Sequence, residues 1–223
     1  MFTGVIGCQG QFPGIWEVGG MSEVRTAAPP VSVLANPAAL GLAGFALTTF
    51  LLSVHNAMGV SREPLLVFWG FAIFYGGLAQ FCAGMWEFKT GNTFGATAFS
   101  TYGAFWMGVA ATVLLVLLGK LAVADVTSTL AWILTAFAIF NTYMLLISAR
   151  TQNTAVFLVF LTLEITEILL AWGNFNGDAA GSGLVSLGGW MGIITAIVAW
   201  YTSAAIVANS KRPMLPVGGA LWP

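Results

Sequence analysis

Six stretches of about 20 apolar residues, separated by short polar turns, leave this chain essentially one kind of fold. They run approximately over 37–59, 64–86, 94–118, 128–149, 154–173 and 184–208. A helix of about 20 residues crosses about 30 Å of hydrocarbon with every backbone group paired internally. Arg62 and Glu63 lie between the first two stretches, and Lys89-Thr90-Gly91-Asn92-Thr93 between the second and third. Asp125, the Arg150–Asn153 segment and the Asn- and Gly-rich 174–183 segment punctuate the rest. No turn is long enough to hold a soluble domain. Strands of a membrane barrel would alternate apolar with polar residues, and Val113-Leu114-Leu115-Val116-Leu117-Leu118 does not. The expected fold is an all-α membrane protein of six transmembrane helices.

Charge supports this. Only 7% of residues are charged, against about 25% in soluble domains, whose surfaces must be wetted. A net charge of −1 gives no reason to expect a nucleic-acid partner. With two cysteines, Cys8 and Cys82, and one histidine, His55, neither a disulfide framework nor a metal centre is expected. The chain carries no G-x-S-x-G, H-E-x-x-H, Walker A or C-x-x-C pattern, so no enzyme activity and no cofactor are expected.

Residues 1–34 read as an N-terminal cytoplasmic tail, 35–210 as the transmembrane transport domain and 211–223 as a C-terminal cytoplasmic tail. Val5-Ile6-Gly7-Cys8 resembles a lipoprotein cleavage box, but no basic region and apolar run precede it. Met21 is followed by a polar Ser-Glu-Val-Arg-Thr and is a candidate translation start, a hypothesis that N-terminal sequencing would test. Lys and Arg concentrate in cytoplasmic loops. Arg25, Lys89, Arg150, Lys211 and Arg212 fall on the N-terminal side and Arg62 and Lys120 on the other, which predicts both termini in the cytoplasm. Gly188-x-x-x-Gly192, Gly91-x-x-x-Gly95 and Ala72-x-x-x-Gly76 predict close helix packing, within or between subunits.

Ionisable residues inside spans point to function by default. Glu164 and Glu167, spaced i,i+3 in the fifth span, lie on neighbouring parts of one helix face. Two carboxylates close together in low dielectric do not both ionise easily, so the pair is a candidate proton carrier; a structural hydrogen-bonding role is the alternative. His55, beside Asn56 at the end of the first span, suits a helix-end partner as well as a proton carrier. Gln80, Asn141 and scattered threonines such as Thr48 either line a solute path or bond across helices.

The first span opens Ala35-Asn36-Pro37-Ala38-Ala39-Leu40-Gly41-Leu42-Ala43-Gly44-Phe45. This resembles the signature of the acetate uptake transporter family, which includes bacterial succinate–acetate permeases, with Ala39 where a second proline is usual. The resemblance continues through Thr48-Thr49, His55-Asn56, Phe74 to Gln80, Ala83 to Gly95, Thr97 to Trp106 and Leu215-Pro216-Val217-Gly218. It implies a six-helix fold, a homohexamer with one pathway per subunit, and transport of acetate, with succinate, linked to protons. Residence in the plasma membrane follows. Phe45, Tyr102 and Leu163 map to the family's hydrophobic constriction, and Asn36 and Pro37, with Leu40 and Gly41 after them, to its Asn-Pro motif. Proline suits the first turn of a helix, asparagine an N-cap, and a helix N-terminus attracts a carboxylate.

Glu164 and Glu167 depart from better-known members. At 100° per residue Glu167 lies about 40° from Leu163 and about 60° from Glu164 around the helix, so Glu167 nearly faces a path that Leu163 faces. Protonation of Glu167 during anion passage is therefore expected. A passive anion channel and a carboxylate sensor without transport are the competing readings.

Overall fold

The computed structural model describes residues 34–60 and 63–222, apart from the side chains of 63–66 and 123–125. The readings at Cys8, Met21, Arg25 and Arg62 lie outside the described residues. Within them the chain is helical, with seven α-helices and one π-helical segment and no strand. Helices α1 (Ala38–Met58), α4 (Thr93–Leu117), α5 (Val123–Thr151), α6 (Thr154–Asn176) and α7 (Gly183–Ala208) are single pieces. The second span is composite: α2 (Glu63–Ile73), a π segment (Phe74–Ala79) and α3 (Gln80–Thr90). Six helices are thus long and apolar enough to cross a membrane.

Local chemistry sets the ends of these helices. Asn36 Oδ1 accepts from the Ala38 N–H at 2.9 Å, Asn92 Oδ1 from Gly95 at 3.1 Å and Asn153 Oδ1 from Val156 at 3.0 Å. Each satisfies one donor of a helix's first turn. At the other ends Gly59 and Gly91 stand at φ 63° and 78°, a left-handed geometry that glycine adopts without strain. Inside the spans, the hydroxyls of Thr48, Thr162, Thr166 and Thr202 donate to carbonyls one turn back. In an apolar environment that return bond avoids an unsatisfied donor.

Small residues set the packing. Gly188 faces Leu170 of α6, and Gly192 faces Ser53 of α1 together with Thr166 of α6. This glycine pair is therefore spent inside the subunit, where α7 lies against α1 and α6. Gly76 sits against Thr48, and a side chain at Gly44 would meet the Tyr75 carbonyl at 2.6 Å, so α1 and the π segment touch almost backbone to backbone. The sequence reading expected one regular helix over 64–86. The wider π turn instead rotates the residues after it, and Gln80 follows directly; such segments recur at functional sites.

The C-terminal residues fold back on the bundle. Val217 O accepts from Ala155 N at 3.0 Å, Gly219 O from Thr154 Oγ1 at 2.8 Å, and Ala149 O from Leu221 N at 3.0 Å.

Candidate functional site

A cavity of about 60 Å³ opens between α1, α3, α4 and α6. That is room for a few water-sized groups, the scale of a small organic acid. Its mouth is framed by the starts of three helices: Ala38 of α1, Asn92, Phe94 and Gly95 at α4, and Gln152 and Val156 at α6. The first, third and fifth spans begin at this end, so their positive dipole ends converge. The remaining wall is apolar, with Leu42, Ala98, Phe99, Val159 and Phe160.

At the inner end Phe45, Tyr102 and Leu163 come together in one buried cluster. The Phe45 and Tyr102 rings meet edge to face with centroids 5.7 Å apart, a favourable aromatic geometry. Gln80 also lines the cavity at 1% exposure, and its Oε1 has no hydrogen-bond partner.

Behind the constriction lies a polar network. Tyr102 Oη is 3.1 Å from Asn141 Oδ1 and 3.2 Å from Glu167 Oε1. Asn141 Nδ2 donates to Phe160 O at 2.9 Å and to Glu164 Oε2 at 2.7 Å. Thr142 Oγ1 lies 2.7 Å from Glu164 Oε1 and 2.8 Å from Ala138 O, with one hydrogen to give. A carboxylate in the middle of a membrane helix costs roughly 3 kcal/mol, and this network offsets that cost for Glu164 more fully than for Glu167.

A second buried carboxylate braces the mouth. Glu87, 1% exposed, accepts at Oε2 from Thr90 Oγ1 at 3.0 Å and from Asn92 Nδ2 at 2.9 Å. Asn92 is thereby held in one orientation, its oxygen on Gly95 and its nitrogen on Glu87.

The family model described as the GPR1/FUN34/yaaH family matches residues 18–218. The chain belongs to this family. Among its members, the succinate-acetate/proton symporter SatP of Escherichia coli K12 is 40% identical over 189 residues, covering 83% of this chain and 96% of that protein. Acetate permease A of Emericella nidulans is 38% identical over 205 residues, covering 84% and 67%. Ammonia transport outward protein 2 of Saccharomyces cerevisiae is 37% identical over 206 residues, covering 89% and 71%. A solved family structure, the bacterial acetate channel SatP, superposes with a TM-score of 0.76 at 37% identity, covering 83% of this chain and 99% of that one. The six-helix fold expected from sequence is thus the family's fold, and the chain is a multi-pass membrane protein.

The other sequence candidates fall in distinct places. Asn36 and Pro37 start α1 beside the cavity mouth, Asn36 as its cap. Gly41 is buried against Phe99, a lining residue, where a side chain would meet the ring at 2.6 Å. Leu40 points away from the cluster and is 46% exposed. Thr48 spends its hydroxyl on Gly44 and Phe45 carbonyls and packs on the π segment. Asn141 is fully buried behind Tyr102 and is not a lining residue. His55 Nδ1 is 3.0 Å from Val60 O at the far end of α1, and among the described residues no hydrogen bond joins it to the glutamates. Thr142, Gln152 and the bracing role of Glu87 were not singled out from sequence. The Asn-x-x-Gly spacing at 92–95 is the one local signal that marks the α4 mouth as a helix start.

Proposed function

We propose that this protein moves small monocarboxylates, acetate foremost, across the plasma membrane, each subunit using the cavity between Ala38 and Leu163 as its pathway. Succinate is a further candidate substrate. It is a transporter rather than an enzyme, as are the relatives named above. The observation that carries the reading is the convergence of three Asn-capped helix N-termini on an apolar cavity closed by Phe45, Tyr102 and Leu163. Helix N-termini draw an anion, and the apolar wall accepts its methyl group. The same dipole ends repel a cation, which favours a carboxylate over ammonium as the transported species.

Passage is linked to protons. An anion pays heavily to cross an apolar ring, and a neutral acid does not. Tyr102 bridges the two requirements, since it lines the cavity and also touches Glu167. With acetate at the constriction the Tyr102 hydroxyl turns from Asn141 to the substrate; its hydrogen passes to the carboxylate as the Glu167 proton passes to Tyr102 Oη, leaving acetic acid and ionised Glu167. Reprotonation of Glu167 from the side that the acetate entered restores the starting state, so one proton crosses with each acetate, and the reverse sequence carries both the other way. The domain limits stay as read from sequence, with 35–210 as the transport domain, both tails cytoplasmic and the subunits assembled as a hexamer.

Among the described residues no lining side chain is cationic, and a passive anion channel is the second reading. Radiolabelled acetate uptake into proteoliposomes, with voltage clamped, separates them. Accumulation above equilibrium under an inward proton gradient is expected; equilibration regardless of the gradient supports the channel, and no flux at all supports a sensor.

A further inference from the structure

Glu164 and Glu167 stand one turn apart on α6, yet their surroundings differ. Glu164 is half-buried; its Oε2 accepts from Asn141 at 2.7 Å, and its Oε1 lies 2.7 Å from Thr142 Oγ1, whose single hydrogen also has Ala138 O within 2.8 Å. Ala138 O already takes the backbone N–H one turn on in α5, so the Thr142 hydrogen is free for Glu164, and short contacts on both oxygens suit a carboxylate. Glu167 is 5% exposed, its Oε2 has no partner, and its Oε1 meets only Tyr102 at 3.2 Å. An anion so poorly supplied with donors is costly to bury, whereas the neutral acid is tolerated.

Counting hydrogens leads to the same assignment. Tyr102 Oη has one hydrogen and two oxygens within reach, Asn141 Oδ1 and Glu167 Oε1. Asn141 cannot turn its amide to help, because Nδ2 is committed to Phe160 O and Glu164 Oε2. A proton on Glu167 supplies the missing hydrogen. Glu167 then donates to Tyr102, and Tyr102 donates to Asn141.

We propose that the two glutamates form an unequal couple, in which Glu167 holds the transported proton and ionised Glu164 is the positioning residue that sets how firmly it is held. Glu164 acts by charge, since a second carboxylate beside it is disfavoured. It acts also by structure, since it anchors the Asn141 amide that orients Tyr102. Among the described residues the other titratable side chain in contact with the couple is Tyr102 from α4, while Tyr143 of α5 is exposed and packs on Phe140. Helix α7 contributes the Thr195 hydroxyl against Thr166 and carries no charged residue.

This inference rests on the reading that the proton of Glu167 moves with the substrate, and two measurements keep them apart. The first is the pH profile of acetate uptake into proteoliposomes by the unmodified protein, Glu164→Gln and Glu167→Gln. Removing the Glu164 charge is expected to move the midpoint about one pH unit toward acid, whereas Glu167→Gln leaves no midpoint to move. An unmoved midpoint in Glu164→Gln overturns the positioning role. A flat profile in the unmodified protein overturns the proton-linked reading itself.

The second measurement does not need transport. Infrared spectra of the purified protein at neutral pH are expected to show a protonated-carboxyl band that survives Glu164→Gln and vanishes in Glu167→Gln. A band that survives Glu167→Gln and vanishes in Glu164→Gln reverses the assignment and overturns the couple. If Glu164→Gln fails to fold, the unmodified protein against Glu167→Gln still decides whether Glu167 holds the proton.

Discussion

At its mouth the cavity is framed by Asn92, Gln152 and the first turns of α1, α4 and α6; at its inner end Phe45, Tyr102 and Leu163 offer a single hydroxyl. The mouth is polar and partly open, and the constriction is buried and aromatic. An anion is therefore favoured at one end of the same cavity and penalised at the other. In the proposed pathway, selection by charge and selection against charge are separated by a few helical turns, and a proton would pass between them. The two buried carboxylates differ in the same way. Each keeps one oxygen without a partner, but Glu87 at the mouth takes two donors on its other oxygen and braces a helix start, while Glu167 at the constriction meets Tyr102 alone.

Substitutions at the two ends should therefore fail differently. The largest effect is expected from Leu163→Asp, which puts a fixed charge in the constriction. At roughly 3 kcal/mol for a membrane-embedded acid, uptake should fall about 100-fold; uptake within a few-fold of normal would remove Leu163 from the path. Next is Glu167→Gln, for which the pH dependence of uptake should disappear while the protein still reaches the membrane. A preserved pH profile would return Glu167 to a structural role.

The mouth should yield smaller effects, confined to binding. Asn92→Ala removes the α4 cap, worth about 1 kcal/mol, and should raise KM about fivefold with little change in kcat. A drop in kcat at constant KM would place Asn92 at the rate-limiting barrier instead. Gln152→Leu should raise KM only about twofold, and raising the salt concentration should do likewise, since exposed dipoles and charges are screened. Insensitivity of KM to both would argue against an electrostatic mouth.

Much of this was legible in the sequence because membrane helices announce themselves by length and apolarity. All six spans were placed within a few residues, and Phe45, Tyr102 and Leu163 do converge. Of the i,i+3 pair, Glu167 meets Tyr102 but does not itself line the cavity that Leu163 lines. What stayed hidden depends on the register between helices. Thr142 meets Glu164 across 22 residues of sequence, and no local pattern marks that pairing. The π segment at Phe74–Ala79 had only the Gly76-Gly77 pair as a sign, and glycine is common in membrane helices. Leu40 and Gly41 are neighbours in the motif but 100° apart on the helix, so one faces out and the other packs on Phe99.

Acetate uptake into proteoliposomes containing the unmodified protein or Glu167→Gln, with and without an inward proton gradient and with voltage clamped by valinomycin and potassium, tests the central claim most directly. The expected result is accumulation above equilibrium by the unmodified protein only when the gradient is present, and none by Glu167→Gln. Equal, gradient-independent equilibration by both would contradict a proton carried through Glu167 and leave a passive carboxylate channel.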